Sequence, residues 1–227
     1  MKGSERGPLR VALESARANF VPMAVLWSVA FLTVFAYYRL AGVAAALEPL
    51  ARWQRAHEAA GAFLSRVVFS GIVPGLFMLA LPAIRPPRPW LTLAVETLWC
   101  AAWAVPCGLL YRLQAAWFGA GHDWSTLVLK TCVDQFAWTA FVLAPANAAF
   151  FFWLGRGLSL TRARAEWPSR WVREICLPNL LSNWMIWIPV SFAVFSFPPA
   201  LQIQVSGLIG SFWTLLLMEI GRRSAVR

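Results

Sequence analysis

The chain has 227 residues, of which 59% are hydrophobic and 13% charged, whereas a soluble globular domain averages roughly 45–50% apolar and about 25% charged. Twenty Lys and Arg against ten Asp and Glu leave a formal charge of +10, a balance that in a water-soluble protein points to nucleic acid. Here the cations fall between long apolar stretches, which excludes a soluble nucleic-acid-binding domain and makes lipid the expected solvent.

Six stretches, 20–38, 67–84, 90–110, 127–154, 177–197 and 200–218, approach the ~20 apolar residues that cross ~30 Å of hydrocarbon. The expected fold is all-α, a polytopic transmembrane bundle of about six apolar helices, the last two separated by the break at Pro198-Pro199. The first stretch is longer than a signal-peptide core, lacks a small-residue cleavage site and follows a segment containing Glu5 and Glu14. It is therefore expected to remain as a spanning helix.

That helix starts after Asn19, with Pro22 tolerable in its first turn, and ends at Tyr37, Tyr38 and Arg39, an interface cluster. Over 48–66, Leu50, Trp53 and Phe63 interleave with Arg52, Arg55 and Glu58, which predicts an amphipathic helix lying in the interface. In the second segment Gly71 and Gly75 form a small-xxx-small pair inviting a close neighbour, and Pro74 predicts a kink. Three prolines within Arg85-Pro86-Pro87-Arg88-Pro89 force a turn.

The third segment carries Glu96 and Pro106 and ends at Tyr111-Arg112. The fourth would be ~42 Å long if straight, so it must tilt, bend at Pro145 or protrude. It holds Lys130, Asp134, Gln135 and Asn147. The fifth carries Asn179, Asn183 and Ser191, with Asn179 and Asn183 one turn apart on the face of Trp187. In the sixth, Gln202, Gln204, Ser206 and Ser211 read as interhelical glue. Tryptophans near predicted ends, including Trp90, Trp124, Trp153 and Trp184, suit an aromatic belt.

With the amino terminus on the cytoplasmic or matrix side and six crossings, fourteen of the twenty cations share that side, as the positive-inside rule requires. Both termini are then expected there. The basic loop from Arg156 to Arg173 is expected to meet anionic lipid headgroups.

An ionised group in hydrocarbon costs ~2.5–3.5 kcal/mol on insertion scales, so Asp134 and Glu96 need partners or water. Lys130, one α-helical turn before Asp134, is the expected ion partner. With Asn147, Asn179 and Asn183 these residues form either a polar network that pins helices together or the lining of a hydrated passage. No catalytic set emerges: the two histidines, His57 and His122, lie in connectors, and HExxH, GxSxG and phosphate-cradling glycine loops are absent. An enzyme is not expected, nor a metal, nor a cofactor. Cys100 and Cys107 lie ~10 Å apart along one helix, too far for a disulfide, and Cys132 and Cys176 read as small buried hydrophobes.

Pro106 with Leu110-Tyr111-Arg112, then Lys130 with Asp134-Gln135, then Asn183-Trp184, Trp187, Pro189, Phe195, Pro199 and Trp213 occur in the order found in one membrane family. The chain resembles the family of the 22-kDa peroxisomal membrane protein and its mitochondrial relative Mpv-seventeen. It departs from that pattern at Ser191 and Val194, where the family has Gln and Asn. The resemblance divides the chain into 1–62, a basic segment with an extra helix and connector; 63–220, the family-like bundle; and 221–227, a basic tail. It implies a non-enzymatic, channel-like protein for small solutes or ions, with Asp134 as the residue of most interest. Lipid, small solutes and further copies of the chain are the partners implied. The setting would be a bacterial inner membrane, or the peroxisomal or mitochondrial inner membrane of a eukaryote. The rival class is a structural or assembly subunit whose polar residues only join helices.

Overall fold

The computed structural model describes residues 20–82 and 85–225, without the side chains of Pro22 and of residues 213–225. The basic residues up to Arg17, the side chains of Trp213, Arg222 and Arg223, and Arg227 thus lie outside the described residues, and with them much of the expected charge asymmetry. Every regular element among the described residues is helical. In chain order they are α1 (Phe20–Arg39), α2 (Ala41–Ala56), α3 (Glu58–Ala80), α4 (Pro89–Phe118), α5 (Trp124–Leu154), α6 (Leu160–Ala165), α7 (Val172–Phe195) and α8 (Pro199–Ala225).

Helices α3, α4, α5 and α7 are each long and apolar enough to cross a bilayer. Helix α1 meets the criterion only together with α2, from which it is bent by 97°. Among the described residues there are therefore four or five candidate spans rather than six, and these long apolar helices are compatible with an integral membrane protein. Their outer surface agrees: Phe141, midway along α5, is 80% exposed, an arrangement that water would penalise and lipid rewards.

Two boundaries differ from expectation. The helix after Arg39 runs over Ala41–Ala56 and stops at His57, and the next span already begins at Glu58. Arg66, expected in a connector, is therefore inside α3. Helix α4 continues past Tyr111 to Phe118, where Gly119 at φ 85° ends it in a conformation that glycine adopts without strain.

Prolines set the internal geometry of the spans. Three stretches are π-helical: Arg66–Ile72 in α3, Val133–Leu143 in α5 and Val172–Cys176 in α7. Each ends two residues before a proline, at Pro74, Pro145 and Pro178. Proline offers no N–H and its ring collides with the carbonyl four residues back, so an α-helical register cannot continue through it. Widening to i→i+5 hands the stranded carbonyls to later donors. Neighbouring helices supply others: Ser211 Oγ donates to Phe69 O, Cys100 Sγ to Ser70 O at 3.3 Å, and Trp184 Nε1 to Gln135 O at 2.9 Å. Pro106 acts differently. It strands the carbonyl of Ala102, and α4 breaks into a turn at Trp103.

Helix α8 packs against α1, α2, α3, α4 and α7, and so forms the middle of the bundle. Around its first half lies an apolar core of Leu26 and Ala30 from α1, Val190 and Val194 from α7, and Leu201 and Val205 from α8 itself. Two of its expected bridging groups join helices, Gln204 Nε2 donating to Gln54 Oε1 of α2 and Ser211 to α3, whereas Ser206 Oγ donates to Ile203 O of α8 itself at 3.0 Å and Gln202 Nε2 to the nearby Phe197 O at 2.9 Å. Pro198-Pro199 separates α7 from α8, and the two helices pack on each other. The small-residue seam is also present. Gly71 and Gly75 of α3 face Thr97 and Leu93 of α4.

Candidate functional site

The π-helical stretch of α5 starts at Val133, and the next two residues, Asp134 and Gln135, are turned into the bundle and buried. Asp134 Oδ2 accepts two hydrogen bonds, from Gln135 Nε2 at 2.6 Å and from Ser191 Oγ at 2.9 Å. Gln135 Nε2 also donates to Ser191 Oγ at 2.8 Å, closing a three-membered network between α5 and α7. Asn183 Nδ2 approaches Gln135 Oε1 at 3.5 Å, the outer limit of a hydrogen bond. Two groups on one helix and two on another thus satisfy each other where no bulk water is available.

The network forms one wall of a cavity of about 270 Å³ bounded by α3, α4, α5, α7 and α8. Asn147 and Arg66 face the same space, and Trp99, Trp103, Trp138 and Trp187 supply much of its apolar lining. Asn147 is held by Trp99, whose Nε1 donates to Asn147 Oδ1 at 2.9 Å while its ring stacks on Phe150 at 4.3 Å. Arg66 heads the π-helical stretch of α3; its Nε is buried without an acceptor, and the guanidinium has no carboxylate oxygen within 4.0 Å.

A second cavity of about 290 Å³ lies along the same helices nearer the α2–α3 junction, lined by Glu58 and Ala62 of α3, Gly108 and Arg112 of α4, and Pro199 and Ile203 of α8. Arg112 and Glu58 form an ion pair at 3.1 Å there. The two cavities follow common helix faces: Glu58, Ala62, Arg66 and Ser70 succeed one another every four residues on α3. Tyr111 lines both, and its ring packs edge-on against Phe195 at 5.3 Å.

Several sequence expectations come apart here. Lys130 is 1% exposed, yet its Nζ has no partner and does not reach Asp134. The i,i+4 rule holds for an α-helix, and the change to π register at Val133 rotates Asp134 off the face of Lys130. Asn179 is exposed and donates to Ile175 O at 2.9 Å in its own helix, so it does not join Asn183 in the cavity. Glu96 is half-buried on α4 and makes no hydrogen bond or ion pair among the described residues. Trp184, expected at an interface, is half-buried midway along α7 and donates to Gln135 O. Cys132 is exposed rather than buried. Of the resemblance residues, Tyr111 and Trp187 line the cavity, Phe195 is 1% exposed in the core, Pro106 sits at the α4 break, Pro189 lies within α7, and Pro199 starts α8. Arg66 and the lining tryptophans Trp99, Trp103 and Trp138 were not singled out as site residues from sequence, and Ser191, noted as one of the polar residues of the fifth segment, was not placed with Asp134. An arginine eight residues into an apolar helix is itself a signal of a buried polar site, once the helix start is known.

Two features flank the site. Asp123 caps α5, accepting from Ser125 Oγ at 2.6 Å and Thr126 N at 3.0 Å, and these donors hold its carboxyl well below the usual carboxylate range. After α5, Gly157 at φ 65° turns the chain into the basic loop. There Arg156 bonds Glu166 at 3.1 Å and lies over the Phe152 ring, which with Trp167 and Trp171 forms an aromatic cluster.

No protein-family model, no curated protein and no solved structure matches the chain.

Proposed function

We propose that the chain is an integral membrane protein that passes a small polar solute or ion through its helical bundle by way of the Asp134 cavity, as the resemblance to the 22-kDa peroxisomal membrane protein family implies. One observation carries this reading: polar groups from three helices, Arg66 of α3, Asp134, Gln135 and Asn147 of α5, and Asn183 and Ser191 of α7, converge with tryptophans on one cavity as well as joining the helices. In a lipid-embedded protein such groups are expensive, and they concentrate where water or a solute passes. The proposed path enters by the outer cavity at Arg112 and Glu58, passes Tyr111 and reaches Asp134. No bond-making step is assigned to it. In this reading both termini face the cytoplasm or matrix, and Arg162, Arg164 and Arg173 lie against anionic headgroups, anchored by the Trp167–Trp171 cluster.

A structural or assembly role is the second reading, favoured by the Asp134–Gln135–Ser191 network that joins α5 to α7. Asp134→Asn in planar bilayers separates the two. Altered conductance or ion selectivity is expected for a passage. Unchanged conductance with a lowered unfolding temperature in detergent would leave only the structural role.

A further inference from the structure

We infer that the solute held in the inner cavity is a small zwitterion, with an amine and a carboxylate on one compact skeleton. The inference rests on the reading of that cavity as a solute site. Its ground is an incomplete pair of charges. Arg66 and Asp134 line one cavity with opposite charge, yet no guanidinium nitrogen comes within 4.0 Å of a carboxylate oxygen. Buried charges of opposite sign that do not touch forgo the attraction that offsets their desolvation.

The unused hydrogen-bonding positions are of both kinds. Arg66 Nε and the indole Nε1 of Trp103, which both line the cavity, are buried donors without an acceptor. Both bonds to Asp134 arrive at Oδ2, which leaves Oδ1 with none. The cavity thus offers a ligand two donors and a cation together with an acceptor and an anion. A simple anion would answer Arg66 and be repelled by Asp134, and a simple cation would do the opposite. A zwitterion answers both. The volume of about 270 Å³ lies below the roughly 300–1,000 Å³ of pockets for drug-sized ligands, which suits a compact solute.

The test is calorimetric titration of the full chain in nanodiscs with glycine, L-alanine and L-serine, beside propionate and isopropylamine, which each carry one of the two charges. At least one amino acid should bind saturably, and each single-charge analogue about tenfold more weakly or worse. Arg66→Gln and Asp134→Asn, checked by size exclusion for folded protein, should each weaken amino-acid binding by about tenfold. Binding by none of the three amino acids, or by propionate or isopropylamine to within about threefold of the best of them, overturns the inference, and it does so on the unmutated protein. Saturable binding with no flux of the radiolabelled amino acid into proteoliposomes would remove the passage reading and leave the zwitterion site standing. Asp134-dependent conductance without amino-acid binding would do the reverse.

Discussion

Alanine at Gly71 tests how closely α3 and α4 approach. A Cβ placed there would lie 2.9 Å from Thr97 Cα, 2.9 Å from its Oγ1 and 3.0 Å from its Cγ2. The first of these atoms is backbone and cannot turn aside, so the two helices must part. Overpacking of this kind costs ~1–3 kcal/mol, against about 1 kcal/mol returned by replacing a helical glycine, for a net loss of up to about 2 kcal/mol. Two other glycines calibrate the figure. At Gly75 the new methyl group meets the Cδ1 tip of Leu93, while Leu93 Cγ and Cβ stand back at 3.4 and 3.8 Å. Rotating that tip relieves the clash, and the net change should be near zero. At Gly108 the nearest atoms, Ile203 Cδ1 at 3.5 Å and Ala62 Cβ at 3.6 Å, are ordinary contacts, so alanine should stabilise by up to about 1 kcal/mol. Reversible unfolding in mixed micelles, titrated with dodecyl sulfate, should rank Gly108→Ala above Gly75→Ala above Gly71→Ala. A Gly71→Ala protein as stable as Gly108→Ala would refute the seam.

Three further outcomes can be checked by similar means. Ser211→Ala removes the hydroxyl that Phe69 O receives from α8 and should lower stability by about 0.6 kcal/mol, with ~1.7 kcal/mol as the ceiling for such bonds in membranes; a neutral result in the same titration would mean that water or another donor serves that carbonyl. Lys130→Met exchanges a buried ammonium without a partner for an apolar side chain of similar length, and should stabilise by about 1–4 kcal/mol; destabilisation would show that Lys130 has a partner in the bilayer. The carboxyl of Asp123 is held below its ordinary value of 3.8, so its contribution to α5 is complete above that pH and falls away as acid is added towards the depressed folded value. Hydrogen exchange at the Thr126 amide, corrected for intrinsic rate, should therefore begin to accelerate below 3.8, and Asp123→Asn should flatten the profile.

Hydropathy alone made the helical class and most spans legible, because ~20 apolar residues in sequence have few other uses. Asp134, Gln135 and Asn183 were legible for the complementary reason, as polar groups where hydrocarbon tolerates few. What sequence could not reveal is set by register and by distance along the chain. Lys130 and Asp134 were paired by a rule that assumes 3.6 residues per turn, and a proline eleven residues downstream of Asp134, at Pro145, invalidates that assumption upstream. Ser191, which completes the Asp134 network, stood out only as one polar residue of the fifth segment, and at 57 residues from Asp134 no local pattern joins the two. Arg66 was hidden by a boundary: the α2–α3 break falls at His57, and a cation that seemed to sit in a connector belongs to a span.

The π-helical stretch of α3 has a consequence for how the chain reaches its final form. Its carbonyls at Phe69 and Ser70 are served by side chains 142 and 30 residues further on, at Ser211 and Cys100. A stranded carbonyl in hydrocarbon costs several kcal/mol. During synthesis the α3 segment would enter the bilayer long before Ser211 exists, and must satisfy itself by other means, with water or with a different winding around Pro74. Its backbone is thus finished only when the last helix arrives, so an excised α3 peptide in micelles should show a different pattern of protected amides from the same residues in the whole protein.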